Sequence, residues 1–296
     1  MANLRKIRMR IKSVESTRQI TRSMKMVAAA KLRKTQQAYS RLRAFAEGCA
    51  AIYARTCALL PQAAPEREES APADEVLWDE ARAAAGSGRT CYVLIVPDRG
   101  LCGTYGHALL RYFRELRQRE GGESLVYVAG RWGRDQIGAL DGVFDISDAP
   151  SSAEAAALTE ALCQIYREGK ADRIVLVFQR FRSVLSQEPG TVQLLPALPP
   201  ETAEGAAAEE GGIPPILEPD GETVLKRLRE LYLQSTVHSA LLEARTGEHA
   251  ARMTAMTAAT DNTEELIGKL TLELNHARQA AITTEISEIV GGAAAL

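Results

Sequence analysis

The chain has 296 residues, of which 46% are hydrophobic and 25% are charged, so it can build a sizeable core and is not of the disordered class. No uncharged apolar run approaches the ~18 residues that a membrane-spanning helix needs. The first residues are charged and do not resemble a signal peptide. We therefore expect a soluble or peripheral protein.

The formal net charge is −2, but the charge is unevenly distributed along the chain. Residues 1–46 contain thirteen Lys or Arg residues, and Glu15 is the one acidic residue among them. Such a basic segment favours an acidic partner, which could be nucleic acid, anionic lipid or acidic loops of another protein. A merely solvated basic face is the alternative, although such faces normally carry interspersed acidic residues.

The five cysteines are widely spaced and form no CxxC pair. This pattern is typical of reduced thiols in a cytosolic protein, with a metal or redox role as the alternative.

Residues 1–60 are predicted to form one N-terminal helix, because apolar side chains recur three and four residues apart. This stripe begins at Leu4, Ile7, Ile11 and Val14. Pro61 ends the helix, and residues 61–89 begin with a segment rich in Pro, Ala and Glu that indicates a linker.

Residues 90–196 are predicted to form an α/β domain, because β-rich apolar runs alternate with helical segments. The helical segments are Tyr105–Arg119, a short turn after Trp132, and Ser152–Glu168. The predicted strands are Thr90–Val96, Ser124–Val128, Val143–Ile146, Ile174–Phe181 and Thr191–Leu195. This order favours a small three-layer, Rossmann-like fold.

Residues 197–219 are predicted to form a Pro- and Gly-rich surface loop or a β-ribbon, and residues 220–296 are predicted to form a second long helix. At ~1.5 Å per residue this helix would be on the order of 100 Å long. Since it cannot bury its apolar stripe alone, we expect the two terminal helices to form an antiparallel coiled coil, with the α/β domain inserted between them.

No catalytic, cofactor-binding or metal-binding residue is predicted. The segment PDRGLCGTYG (97–106) lies between a strand and a helix, but its glycines do not fit GxGxxG, and a structural turn is the favoured interpretation. The four histidines show no zinc-ligand spacing. Glu248 and His249 are interpreted as a solvent-exposed pair.

Three segments of the chain form a distinctive set: IRMRIKSVESTRQITRSMKMVAAAKLRK (7–34), DRGLCG (98–103), and EHAARMTAMTAATDN together with LTLELNHARQAAITTEISEIVGGAAAL (248–296). In sequence, order and spacing these segments resemble the gamma subunit family of F-type ATP synthases. The resemblance implies a non-catalytic rotor: a coiled coil inside a ring of three alpha and three catalytic beta subunits, and an α/β domain at the epsilon subunit and the membrane c-ring. It also implies a peripheral location on the cytoplasmic face of the bacterial plasma membrane, with no cofactor and no nucleic acid.

The same resemblance implies which residues contact the ring. They are Met24, Lys25, Cys102, Arg252, Gln279, Thr283 and Glu288. Since the chain lacks a close cysteine pair of the kind that regulates chloroplast relatives, no thiol switch is expected. Two other classes stay open beside the rotor: a basic coiled-coil nucleic-acid binder, and a nucleotide-binding enzyme centred on residues 90–195.

Overall fold

The computed structural model describes residues 2–59, 88–197 and 217–294. Most of the predicted linker 61–89 and of the predicted loop 197–219 lies outside these ranges. Among the described helices, none combines the length and the apolarity that crossing a membrane requires.

Each end of the chain forms one continuous helix. Helix α1 spans Ala2–Leu59 and is rich in alanine and basic residues, which are good helix formers. The last helix begins at Gly221, directly after Asp220, and ends at Ala294. Asp220 caps it, because its Oδ1 accepts a hydrogen bond from the Thr223 N–H at 2.8 Å.

Between the long helices lies a five-stranded mixed sheet. The strands are β1 (Thr90–Ile95), β2 (Ser124–Ala129), β3 (Gly142–Phe144), β4 (Arg173–Phe181) and β5 (Gln187–Leu195). Helix α2 (Tyr105–Glu120) follows β1, a 3₁₀ turn (Arg134–Gln136) follows β2, and helix α3 (Ser152–Arg167) follows β3. The C-terminal helix Gly221–Ala294 is called α4. The strand order is β3-β2-β1-β4-β5. The first four strands are parallel, and β5 pairs antiparallel with β4 at one edge.

The sheet carries helices on both faces, so the predicted three-layer arrangement is confirmed. Alternate residues of β1 point to opposite faces, as strand geometry requires. One face packs on α2 through Leu109, Leu110 and Phe113. The other packs on α3, whose first turn has a capping box between Ser151 and Glu154.

The second face of the sheet also packs on α4, which sequence analysis had assigned to the coiled coil alone. Leu233, Val237 and Leu241 lie one helical turn apart and belong to the same buried cluster as β1, β4 and α3. This stretch of α4 is therefore a structural part of the α/β domain.

Contacts between Cα atoms divide the chain into two units. The helical unit comprises Met1–Ala30 and Arg252–Leu296, and the mixed unit comprises Lys31–Ala251. Within the helical unit the two helices are antiparallel: Thr260 Oγ1 lies 3.0 Å from Thr21 Oγ1, and Arg18 lies 4.0 Å from Glu264.

Within the mixed unit, α1 and α4 are again antiparallel. Tyr39 hydrogen-bonds Glu243, and further along α1 the ring of Tyr53 stacks on that of Tyr232 at 5.0 Å. The predicted antiparallel pairing of the terminal helices is thus present in both units.

Candidate functional site

The carboxyl ends of β1 and β4 define the place where a ligand site is expected in this topology. These strands are parallel neighbours, and the chain leaves β1 toward β2 on one side while β4 lies on the other. Open α/β sheets bind ligands in the crevice outside such a switch point. The contacts at this crevice therefore decide between a binding site and a structural junction.

The turn after β1 has a backbone that only particular residues tolerate. Leu101 has φ +62° and Gly103 has φ +60°, in the left-handed region. Gly106, in the first turn of α2, lies against Trp132, and a Cβ there would come within 2.1 Å of the indole ring. The glycines of 97–106 thus serve the turn and the close packing of α2, as the structural interpretation proposed.

Helix α4 occupies the crevice. Tyr105, at the start of α2, donates a hydrogen bond from its hydroxyl to the carbonyl oxygen of Ala244 at 2.7 Å. Gln179 of β4 donates to the Tyr105 carbonyl at 2.9 Å. Gly247 allows the close approach, because a Cβ there would lie 3.0 Å from the Tyr105 ring. Protein side chains and backbone thus fill the space that a nucleotide would need.

A buried ion pair lies beside these contacts. Arg245 Nη1 is 2.7 Å from Glu248 Oε2, and each side chain is only 2% exposed. Arg245 Nη2 also donates to the Ile146 carbonyl at 2.9 Å, and Glu248 accepts from the Asp98 N–H at 3.2 Å. The pair therefore connects α4 to the segments that follow β1 and β3.

The interpretation of Glu248 and His249 as a solvent-exposed pair is wrong. Both residues are buried, as are most of the residues around them on α4. Residues 244–250 are all buried, and consecutive helical residues point to every side of the axis, so more than one surface covers α4 here. The start of α2 and the segments after β1 and β3 contact this stretch, and α1 contacts α4 at Glu243. Sequence periodicity predicts a one-sided stripe and could not predict this burial.

Two further carboxylates at the same edge of the sheet are held in their charged form. The pKa of Asp98 is lowered, chiefly because Arg131 Nε donates to its Oδ1 at 2.7 Å. The pKa of Asp148 is lowered chiefly by its hydrogen bond from Lys31. Their stabilising effect is therefore present above the usual carboxyl pKa and is lost as the pH falls toward the folded-state pKa.

Glu243 behaves in the opposite way. Burial raises its pKa, although it accepts a hydrogen bond from the Phe181 N–H at 2.8 Å. Burial also raises the pKa of its partner Tyr39 to about 12. The carboxyl is therefore costly to ionise in the folded protein.

Three residues predicted to contact a partner lie in the helical unit: Met24 and Lys25 in its α1 segment, and Arg252 at the start of its α4 segment. Met24 and Lys25 are adjacent and half-buried on α1. Arg252 on α4 is 9% exposed. A contact through Arg252 would involve a limited part of its side chain, and that role stays a prediction.

Gln279 and Thr283 are both exposed and lie one turn apart on α4, where the Thr283 hydroxyl donates to the Gln279 carbonyl at 3.0 Å. Glu288 lies in the same helix, and its side chain is outside the described residues. Several large apolar side chains of this stretch are exposed. They are Leu272, Ile282, Ile286, Ile289 and Val290.

Cys102 lies in the mixed unit, in the turn after β1, and is 4% exposed. Its thiol lies 3.8 Å from the Arg99 carbonyl. Its two neighbours in the chain, Leu101 and Gly103, are exposed, and Leu101 is 61% exposed. The partner contact predicted for Cys102 stays a prediction, and a side chain as buried as this one offers little surface for it.

Sequence analysis did not identify the buried pair of Arg245 and Glu248 as a junction. Opposite charges three residues apart are normally solvated helix pairs, and their signal in the sequence is weak. In the described ranges no group of His, Cys, Asp and Glu is arranged to hold a metal ion.

Comparison with known proteins identifies the family. The family model described as "ATP synthase" matches residues 3–296. The chain is 41% identical to the ATP synthase gamma chain of Moorella thermoacetica over 301 residues, covering 100% of both chains. It is likewise 41% identical to the ATP synthase gamma chain of Desulforamulus reducens over 304 residues, again covering 100% of both.

Solved structures show the same fold at lower identity. A chain of the mitochondrial ATP synthase of Euglena gracilis, from its OSCP/F1/c-ring structure, aligns with TM-score 0.65 and 21% identity, covering 99% of this chain and 94% of that one. A chain from the rotor of the same enzyme aligns with TM-score 0.62 and 20% identity, covering 95% and 99%. None of these findings supports a nucleic-acid binder. From its full-length match to the family and to curated relatives, the chain belongs to the ATP synthase gamma chain family.

Proposed function

We propose that the chain is the non-catalytic rotor subunit of an F-type ATP synthase, which turns inside a ring of three alpha and three beta subunits and couples ion flow to ATP synthesis or hydrolysis on beta. The α/β domain then contacts the epsilon subunit and the membrane c-ring. The chain takes its place at the membrane through the complex, as a peripheral protein on the cytoplasmic face of the bacterial plasma membrane.

The observation that carries this proposal is the exposed apolar surface of α4 beyond residue 270. Leu272 is 62% exposed and Ile289 is 71% exposed. Contiguous apolar exposure on a soluble protein marks an interaction site. The exposed apolar side chains Leu272, Ile282, Ile286, Ile289 and Val290 lie on one side of the helix, within about 100° around its axis, so a partner surface that covers this side would bury them together.

The ring contacts are proposed from the resemblance to the gamma subunit family, and the exposure of several of them is compatible with that role. Gln279 and Thr283 lie on the exposed stretch of α4, and Met24 and Lys25 lie on the basic segment of α1. Acidic loops on beta would complement that segment.

Arg252→Ala should slow coupled turnover more than it weakens assembly, and equal losses of both would count against a coupling role for Arg252.

The crevice supports a non-catalytic role for the α/β domain. The Tyr105 hydroxyl donates to the Ala244 carbonyl of α4, and Glu248 of α4 accepts from the Asp98 N–H in the turn after β1. These contacts lie at the edge of the sheet where other folds of this class bind nucleotides. Nucleotide chemistry on this chain would require α4 to leave the sheet, which would expose the apolar cluster around Leu241.

The test is to co-express the chain with the alpha and beta subunits of its organism, and to measure native mass and ATPase activity. We expect a complex of three alpha, three beta and one copy of this chain, with cooperative ATPase activity only when the chain is present. A chain that stays apart from the ring, or that hydrolyses ATP alone, would overturn the proposal.

A further inference from the structure

Two kinds of contact hold α4 on the sheet. The first is apolar: Leu233, Val237 and Leu241 contribute to the cluster formed with β1, β4 and α3. Apolar burial is strong but non-directional. It holds a helix against a sheet without fixing its rotation or its axial position.

The second kind is polar. His238 Nε2 lies 3.0 Å from the Pro150 carbonyl oxygen and Glu243 accepts from the Phe181 N–H at 2.8 Å, and three further contacts lie within about one turn of α4. Within the mixed unit, Ala244, Arg245 and Glu248 contact three separate segments, all near the carboxyl edge of the sheet. Those segments begin α2, follow β3 and follow β1. Hydrogen bonds are directional, and three of them to separate segments define one orientation of the helix.

Stability alone does not account for the ion pair. Taking Arg245 and Glu248 out of water costs about as much as their attraction returns, and well-packed apolar side chains of similar size often serve equally well. Since each side chain is 2% exposed, the pair also offers no charge to an outside partner. What apolar residues could not supply is the fixed orientation of α4.

We propose that the Arg245–Glu248 pair and the Tyr105 hydroxyl are positioning residues that fix the orientation of α4 on the α/β domain, so that torque passes between this domain and the long helix without slip. The inference rests on the proposed rotor function. In this proposal, torque is transmitted through three hydrogen bonds, from Tyr105 to Ala244, from Arg245 to Ile146 and from Asp98 to Glu248. They lie in the crevice where other doubly wound folds bind ligands.

The test uses the whole complex in inverted membrane vesicles and compares ATP-driven ion uptake with ATP hydrolysis, using both proton and sodium indicators. The test variant is Arg245→Met/Glu248→Leu, which removes both charges together and keeps the volume. The matched control is Arg227→Met/Glu230→Leu, because that ion pair has the same i,i+3 spacing on the same helix but is 78% and 48% exposed.

We expect the test variant to assemble and to hydrolyse ATP, with ion uptake per ATP reduced at least about twofold, since a loosened site typically loses function before it loses stability. The control should keep the wild-type ratio. An unchanged ratio in the test variant would overturn the proposal. Failure of that variant to assemble would also contradict it, because the role of the pair would then be stability.

Tyr105→Phe gives a second, milder measurement, because it removes one hydroxyl and leaves the packing in place. It should lower ion uptake per ATP in the same direction and by less. A wild-type ratio in this variant would contradict the participation of Tyr105. If the wild-type chain itself fails to assemble with the ring, the proposed function fails, and this outcome is distinct from a failure of the positioning proposal.

Discussion

Two stretches of the same helix differ in almost every environmental property. Residues 240–250 of α4 are nearly all buried and carry the Arg245–Glu248 pair, whereas residues 271–290 are mostly exposed and carry apolar side chains in contact with solvent. Both are helical, and both are rich in good helix formers. Helix propensity therefore sets the secondary structure, and burial sets what each stretch can do: one is fixed in place, and the other is available to a partner.

The largest expected change in the free energy of unfolding comes from a substitution in the buried stretch, residues 240–250. Arg245→Ala leaves the Glu248 carboxylate buried without its cation, which should lower the free energy of unfolding by about 3–5 kcal/mol. Urea unfolding of the full chain, followed by circular dichroism, measures this. Arg227→Ala, at an exposed pair of the same spacing, should cost less than about 1 kcal/mol. Similar losses in both variants would mean that burial does not distinguish the pairs.

Two glycines of α4 give a matched comparison, one inside the buried stretch and one at an exposed position just before residue 271. Gly247→Ala brings a Cβ to 3.0 Å from the Tyr105 ring and should lower the free energy of unfolding by about 1–3 kcal/mol. Gly268→Ala meets nothing within 4 Å and should raise it by about 0.5–1 kcal/mol through helix propensity. Thermal denaturation of both variants is the measurement. Stabilisation by Gly247→Ala would contradict the close packing of α4 on Tyr105.

These two glycines also show how far the sequence could predict the structure. Both terminal helices and the alternation of strands and helices along the chain follow from periodicity and β-rich runs. The contrast between Gly247 and Gly268 does not, because nothing local in the sequence states that Tyr105 packs on one of them. The burial of Glu248 and His249 was mispredicted for the same reason.

The candidate ring contacts divide in a similar way. The exposure of Gln279 and Thr283 suits a role at a surface, while the burial of Cys102 depends on the backbone turn at Leu101, which a motif alone does not describe. A motif carries residue identity from a family, but the accessibility of each side chain depends on tertiary packing.

A smaller effect is expected at Glu243, where α4 meets β4 and α1. Because burial raises the pKa of Glu243 above the usual carboxyl pKa, its contribution to stability is greatest below that usual pKa and is lost as the pH rises through the folded-state pKa. Glu243→Gln cannot ionise and should therefore gain stability relative to the wild type as the pH rises above the usual carboxyl pKa. Urea unfolding at several pH values measures the difference, and a pH-independent difference would contradict the raised pKa.

The smallest effect on stability is expected in the exposed stretch. Ile289→Ser should change the free energy of unfolding of the isolated chain by no more than about 0.5 kcal/mol, because the side chain is 71% exposed. Its binding to the alpha–beta ring should nevertheless weaken, since an apolar contact is lost there. Native mass of the co-expressed complex checks this, and Lys269→Ser, also on the exposed face of α4, is the control.

Amide hydrogen exchange of the chain alone and within the assembled ring tests the central comparison most directly. Exchange reports the local free energy of opening. We expect residues 240–250 to be strongly protected in both states, and residues 271–290 to exchange quickly in the isolated chain and slowly in the ring. Equal protection of residues 271–290 in both states, or fast exchange of residues 240–250 in the isolated chain, would contradict the account.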